Sequence, residues 1–486
     1  MPMELRPGLQ VGEFTLQEPL HQGGMATLWR VSRAGGEFPL LMKLPSIGYG
    51  EEVTQLVGFE VERMLMPMLR GPHVPRFVGS GDFGDQPYLV MEQVSGPTLR
   101  PLLEKLPVQA EEVARLGALA ALALDDLHRQ KVVHLDVKPS NLLLHAGEDG
   151  VERIVLIDFG LSHHLQLPDL LAEQFHVPIG TSPYIAPEQV LGVRNDPRSD
   201  LFALGVTLYH LATGERPFGF PRSQRGLRRR FYRDPVPPRS LRPELPLWLQ
   251  EIILRCLEVD PDARYPTAAQ LAFDLQHPEQ VVLGERAERL QRAGTLQTAR
   301  RWFHFFGKDS VEMRASQPGP AVRAPLVLVA IDLKQQHVEL DEALRETVQR
   351  IVQTSPGARL ACVTVMRTSR IGLDSNLDIE GRNRHVKRLL ALRHWARALQ
   401  LPDHLLTFHV LESSDVAQAL IDHARGNRID HLVMGARGVT GVRRMLGSVS
   451  ARVVAEANCT TTVVRVRLES PAPAEPGDTV RAPLER

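Results

Sequence analysis

The chain has only three cysteines in 486 residues, Cys256, Cys362 and Cys459. They are far apart, lie in apolar stretches and show no CxxC or Cys/His spacing, which excludes a disulfide framework and a cysteine-built metal centre. Net charge is lacking too. The 57 Lys and Arg balance the 57 Asp and Glu, so no field from the whole molecule draws it onto nucleic acid or an anionic membrane. Long apolar runs are missing: the longest, over residues 116–124, stops at Asp125, well short of the ~20 residues that cross a bilayer. The start, MPMELRPGLQ, lacks a basic segment followed by an apolar one, so no secretory signal is expected. Thiols kept reduced fit a cytoplasmic protein.

What is present suffices for real cores, with 43% apolar and 23% charged residues. The length suits two domains. Residues 14–44 read as short strands broken by Gly23-Gly24, and a helical pattern follows over 51–69. From 97 to 277 the periodicity turns mainly helical, with stretches at 111–130, 199–213 and 248–257. A basic stretch and the Pro- and Gly-bearing SQPGPAVRAP then mark a linker. Beyond it, PLVLVAID is a continuous apolar run of the kind a strand buried on both faces requires. Leu340, Ala343, Leu344, Thr347, Val348, Ile351 and Val352 recur at helical spacing, and RLACVTVM, LLTFHVL, DHLVMGA and TTVVRV read as further strands. Strand and helix alternate, so a parallel sheet covered by helices is expected. The expected boundaries are 12–277 for the first domain, 278–322 for a basic linker, 323–468 for the second domain and 469–486 for a disordered tail.

Three motifs appear in order at short, specific spacings: HLDVKPSN at 134–141, IDFG at 157–160 and APE at 186–188. Together they resemble the eukaryotic-like protein kinase family, whose bacterial Hanks-type members phosphorylate serine and threonine. The resemblance covers about 14–275 and implies an α+β bilobal protein kinase fold with ATP and Mg²⁺ as cofactors. Moving a γ-phosphoryl group needs an aligned hydroxyl and cations against the phosphate oxygens, so carboxylates and an amide must converge. By the resemblance Asp136 is the base that orients the attacking hydroxyl, Lys138 a cation near the transferring phosphate, and Asn141 and Asp158 the Mg²⁺ ligands. A lysine two residues after the base is similar to the serine/threonine class.

Upstream, PLLMK puts Lys43 at the end of a strand, where its ammonium would reach the α- and β-phosphates. Glu62 is expected to aim it, with Glu60 as the alternative. Gly23, Gly24 and Leu28 in HQGGMATLW, and Glu92 and Val94 in VMEQVSG, would surround the nucleotide, with Met91 at the back of the pocket. Structural roles fall by resemblance to His134, Thr181, Glu188, Asp200 and Arg264: Asp200 braces the catalytic loop, Thr181 helps hold it, and Arg264 pairs with Glu188. The sequence departs from the family in three places. His21 stands where the first loop glycine is usual, Leu41 replaces the small residue under the adenine, and Leu135 replaces the arginine that often precedes the catalytic aspartate. With no arginine there, regulation by a phosphate on the 158–188 segment is not expected. A pseudokinase, a nucleotide-sensing scaffold without phosphotransfer, is the alternative reading. The basic run RSQRGLRRRFYR reads either as a solvated face or as a dock for acidic proteins. The basic amphipathic segment ERLQRAGTLQTARRWFHFFGK is expected to pack on one of the domains, with contact to a membrane surface as the other reading.

The C-terminal part resembles the universal stress protein family, through Asp332 after the first strand and MGARGVTGVRRMLGS after the fourth. In ATP-binding relatives Gly435, Gly438, Gly447 and Ser448 would wrap phosphates and Asp332 would sit by the nucleoside, giving a second nucleotide site. The segment between Gly438 and Gly447 is one residue shorter than the usual ATP-binding spacing, so a packing and dimerisation module is the other reading. Relatives of this domain often form homodimers. Protein substrates are the implied partners, with no nucleic acid and no transmembrane segment.

Overall fold

The computed structural model describes residues 5–23, 26–46, 53–82, 86–147, 150–175, 177–292, 325–334, 338–355, 357–368, 383–436 and 447–466. The chain divides into two compact units with the main break between residues 323 and 324. In the first unit β1 (Gln10–Val11), β2 (Phe14–Gln22), β3 (Ala26–Ser32) and β4 (Leu40–Pro45) precede helix α1 (Val53–Leu65). β5 (Phe77–Gly81) and β6 (Tyr88–Glu92) then complete an antiparallel sheet of order β1-β2-β3-β4-β6-β5. Its period of two sends Trp29, Val31, Leu40, Met42, Leu44 and Val90 into one core with Phe14 and Leu16. The helix ends at Leu65, although apolar spacing runs on to Leu69; Met66 and Leu69 are buried in the turn that follows.

The larger part of this unit is helical. α2 (Ala110–Arg129) buries Val113, Leu116, Ala120, Leu124 and Leu127, a stripe at three- and four-residue spacing. Each such leucine taken from water contributes ~1.5–3 kcal/mol. The short strands β7 (Val132–Val133), β8 (Leu142–Ala146), β9 (Glu152–Leu156) and β10 (His163–His164) form two antiparallel pairs, β8 with β9 in a hairpin and β7 with β10 across it in sequence. The helices α3 (Leu170–Gln174) and α4 (Pro187–Val190) lead to α5 (Arg198–Thr213), buried on every side from Ser199 to Thr213 and stopped by Gly214 at φ +78°. That left-handed value is one glycine adopts without strain. α6 (Gln224–Arg228), α7 (Pro238–Leu241), α8 (Leu247–Cys256) and α9 (Ala268–Gln276) finish the lobe, with α9 packed on α2.

Residues 278–292, expected to open the linker, continue this folded unit. Gln250 Nε2 lies 2.9 Å from the carbonyl oxygens of Arg286, Ala287 and Arg289 around α10 (Glu285–Glu288). Arg286 pairs with Glu251 at 3.0 Å and Glu258 at 2.7 Å. Three backbone acceptors and one guanidinium are satisfied by α8 and the turn after it, which is why the chain stays on the lobe here. The segment 293–324, with most of the basic amphipathic stretch, and the tail from 467 lie outside the described residues.

The second unit is a five-stranded, all-parallel sheet. Its elements alternate: β11 (Leu326–Ala330), α11 (Val338–Thr354), β12 (Arg359–Arg367), α12 (Arg384–Arg397), β13 (Leu406–Ser413), α13 (Val416–Gly426), β14 (His431–Gly435), α14 (Ser448–Glu456) and β15 (Thr460–Val464). The order is β13-β12-β11-β14-β15, so β11 lies at the centre with its four buried residues Leu326 to Val329. Cys362 is buried on β12 and Cys256 on α8; Cys459 is partly exposed, and all three thiols are free.

Candidate active site

Strand register places the cleft side chains. Leu28 pairs with Lys43, Lys43 with Leu89, and Leu41 with Met91. Cross-strand partners share a face, so these five side chains lie opposite the Trp29–Met42–Val90 core. On that face Lys43 Nζ lies 2.6 Å from Glu62 Oε2 on α1 and 3.0 Å from Asp158 Oδ1. Glu60, on the same helix, pairs with Arg63 at 3.2 Å. Burial works against the charge on Lys43, but Asp158 and Glu62 outweigh it and hold the ammonium above its ordinary range. Burial pushes the Glu62 carboxyl up, and Lys43 only partly offsets it. Lys43 takes the Asp158 carboxyl down to about 2. Asp158, at φ +66°, sits in a left-handed conformation that costs a non-glycine residue ~1–3 kcal/mol. The Lys43 bond and the Phe159 ring, 5.3 Å from that of His134, hold the turn in place.

The loop between β7 and β8 carries the second group. Asp200, with no exposed surface, accepts from the backbone N–H of His134 (2.8 Å, Oδ2) and of Leu135 (2.8 Å, Oδ1), and His128 Nε2 lies 2.8 Å from Oδ2. Leu135 is thereby held at φ +64°. Asp136 follows it, 5% exposed. Its Oδ2 accepts from Lys138 Nζ at 2.6 Å and Asn141 Nδ2 at 3.1 Å, and its Oδ1 accepts from Thr181 Oγ1 at 2.6 Å. Lys138 also donates to Thr181 Oγ1 at 2.8 Å, so the carboxylate, ammonium, amide and hydroxyl form one network. Glu188 and Arg264 are joined by bonds of 2.7 and 2.8 Å.

The candidate nucleotide-edge residues are placed by β6 and the residues just beyond it. Gln93 N–H donates to Pro39 O at 2.8 Å and Glu92 N–H to Arg76 O at 2.9 Å, which fixes the chain leading to Val94. Gly23 N–H donates to Ala26 O at 3.1 Å and closes the β2–β3 hairpin. A Cβ at Gly23 would lie 3.2 Å from His21 Nε2, so the His21 ring stands against the loop glycine. Gly24 lies outside the described residues.

Three features of this site escape motif reading. Gln189 Nε2 donates to Leu135 O at 3.1 Å while its Oε1 accepts from Ala186 N–H at 2.8 Å, tying α4 to the loop between β7 and β8. Gly58 of α1 lets the chain after Asp158 come close, since a Cβ there would lie 3.1 Å from Gly160 O. A glycine inside an otherwise good helix was the available signal. The third is the ion pair of Arg194 with Asp169, at 2.8 Å. Two hard oxygens could hold a magnesium nucleotide: the ionised, half-exposed Asp158 carboxylate, and the side-chain oxygen of Asn141, whose backbone O accepts from Ile157 N–H at 3.1 Å.

In the second unit Asp332 follows β11 and Gly435 ends β14, two adjacent strands whose register pairs Ala330 with Met434. Asp332 Oδ1 accepts from Lys334 N–H at 3.0 Å. Gly447 precedes α14, Ser448 begins it and is exposed, and Gly438 lies outside the described residues. A Cβ at Gly435 would lie 2.9 Å from Leu340 Cδ2, so close helix packing itself requires this glycine.

Residues 49–277 match the protein kinase domain family and residues 326–465 the universal stress protein family. A probable serine/threonine-protein kinase of Clostridium perfringens is 32% identical over 219 residues, 45% of this chain and 31% of that protein. Serine/threonine-protein kinase PknB of Mycolicibacterium smegmatis is 34% identical over 193 residues, 40% of this chain and 30% of PknB. Serine/threonine-protein kinase pkn2 of Myxococcus xanthus is 30% identical over 265 residues, 54% of this chain and 32% of pkn2. The chain thus spans about a third of the length of the curated relatives it matches. Converging site and likeness together identify a protein kinase domain, related to bacterial serine/threonine kinases, followed in the same chain by a universal stress protein family domain.

Proposed function

We propose that the chain is a Mg-ATP-dependent protein serine/threonine kinase that transfers the γ-phosphate to protein hydroxyls. The observation that carries this reading is the meeting of Lys43, Glu62 and Asp158 within 3.0 Å in the same unit as the Asp136–Lys138–Asn141–Thr181 network. Lys43, steadied by Glu62, binds the α- and β-phosphates. Asp158 and Asn141 would hold Mg²⁺, which when bound neutralises charge on the phosphate oxygens. Asp136 Oδ2 orients the acceptor hydroxyl and takes its proton, while Lys138 stands beside it to stabilise charge on the transferring group. Leu28, Leu41 and Met91 share the face on which an adenine would lie, and backbone groups of Glu92 and Val94 would meet its edge. His134, Thr181, Asp200, Glu188 and Arg264 hold the loops. Labelled-ATP transfer to a protein substrate tests this: Asp136→Asn should lose it by ~10³-fold or more, and equal labelling by parent and variant would remove Asp136 from its role.

The second domain is proposed to regulate the first by sensing a nucleotide, with Asp332, Gly435, Gly438, Gly447 and Ser448 as the site, and to carry a homodimer contact. Support comes from the placing of Asp332 and Gly435 at the same edge of neighbouring parallel strands, where such sheets bind ligands. Titrating ATP into the full chain bearing Lys43→Met, with and without Asp332→Ala, tests it; identical binding in both ends the proposal. Among the described residues no helix is long and apolar enough to cross a membrane. The reaction is proposed to take place in the cytoplasm, where the free thiols stay reduced.

A further inference from the structure

The segment between Asp158 and Glu188 is anchored at its middle. Asp169 caps α3, its Oδ1 accepting from Ala172 N–H at 3.1 Å, and its Oδ2 accepts from Arg194 Nε at 2.8 Å. Arg194 Nη2 donates to Leu161 O at 2.8 Å, three residues beyond Asp158. His163 Nδ1 lies 3.7 Å from Asp169 Oδ2 and 3.3 Å from Arg194 O, so it adds to the same cluster. The guanidinium is nearly buried, its side chain 7% exposed. From α3 the contact passes to α1: Leu171, with no exposed surface, packs with Val61 and Leu65, and Leu161 and Phe175 join the cluster. Val61 is the neighbour of Glu62. One guanidinium therefore touches both routes to Lys43, through α3 and α1 to Glu62 and through Leu161 to Asp158.

No arginine precedes Asp136, where Leu135 stands. The four hydroxyls of the segment are also occupied: Ser162 Oγ donates to His134 O at 3.1 Å, Thr181 to Asp136 and Ser182 to Pro221 O, and the hydroxyl of the buried Tyr184 is hydrogen-bonded with Arg216. We propose that Arg194 and Asp169 are positioning residues whose ion pair wedges α3 against α1 and keeps Glu62 and Asp158 converged on Lys43, with no phosphate on the 158–188 segment. Asp169 is the built-in anion, and Arg194 the cation that reads it. The proposal rests on the kinase reading for its effect on rate, but the brace itself is a property of the fold.

The full chain, treated with phosphatase, is compared with Asp169→Asn, Asp169→Glu and Arg194→Ala for kcat, for KM of the protein substrate, and for hydrogen exchange across α1. Asp169→Asn keeps a capping oxygen for α3 and removes only the charge, which limits unfolding. The expected result is a parent whose rate survives phosphatase, and a kcat lowered on the order of tenfold in Asp169→Asn and Arg194→Ala, as for a lost charge-assisted hydrogen bond. The substrate KM stays within about twofold, exchange over residues 57–65 speeds up, and Asp169→Glu recovers the rate. Near-total loss of parental rate after phosphatase, or parental exchange of α1 in Asp169→Asn, overturns the proposal. A parent that transfers no phosphate at all would end the kinase reading alone, because faster α1 exchange in Asp169→Asn would still uphold the brace.

Discussion

Arg264 grips Glu188 through two parallel hydrogen bonds, 2.7 and 2.8 Å long, while no part of its own side chain reaches solvent. Ser199 Oγ donates to the same carboxylate at 2.6 Å, and the carbonyls of Arg198, Glu258 and Val259 take further guanidinium N–H groups. A pair satisfied this fully is costly to break from one side, because the partner is left as a buried bare charge at ~3–5 kcal/mol. Arg264→Ala should lower the stability of the kinase unit by about that amount in urea unfolding. Arg264→Lys should recover little, since an ammonium cannot reproduce the fork. A parental unfolding midpoint in Arg264→Ala would contradict this.

Two glutamates on α1 should separate cleanly by kinetics. Glu62→Gln removes the charge that steadies Lys43 and is expected to lower kcat/KM for ATP by ~10- to 100-fold. Glu60→Gln, whose carboxylate meets Arg63, should stay within about threefold. Steady-state assays at saturating protein substrate decide it, and equal losses in both would remove Glu62 from its special place.

The pairing of Lys43 with Asp158 has a pH signature. The carboxyl is lowered from 3.8 to about 2 by the ammonium beside it, so the contribution of the pair to stability is complete above the unfolded value and fades as pH falls toward about 2. Lys43→Met should return the Asp158 titration upward, toward 3.8, in carboxyl-carbon NMR. A titration that does not move would sink the coupling.

Gly58 and Gly117 test different things. A Cβ at Gly58 would lie 3.1 Å from a backbone oxygen of Gly160, so Gly58→Val should push α1 off the Asp158 turn and cut turnover on the order of tenfold, with ATP binding weakened. A Cβ at Gly117 would lie 2.8 Å from Leu208 Cδ2 in the α2–α5 packing. Gly117→Ala should therefore cost ~1–3 kcal/mol of stability yet leave kcat per folded molecule unchanged. Reversed outcomes in paired thermal melts and turnover assays would show that the two contacts have been assigned the wrong consequences.

Residues carried by a short motif or a strict period are legible in the sequence alone. Lys43 alternates with buried Met42 and Leu44, and PLVLVAID has the unbroken apolar character of the central strand that β11 became. Asp136, Lys138 and Asn141 sit within six residues of one another, so the loop that gathers them is nearly written in their order. Thr181 enters that loop from 45 residues away, and only family resemblance pointed to it. Arg194 and Asp169, 25 residues apart in aperiodic chain, leave no pattern at all, and neither does Gln250 reaching its three carbonyls 36 to 39 residues on. Long-range polar contacts are set by how elements pack, which a period of 2.0 or 3.6 does not encode.

The hold that Gln250 and the two glutamates keep on residues 284–289 bears on how the molecule can be divided. A fragment trimmed at 277 would strand the Gln250 amide and both acids, and uncover the floor on which Ala287 rests. Cutting after 292 instead keeps that seam closed, so the shorter piece should express less well and melt earlier than the longer one.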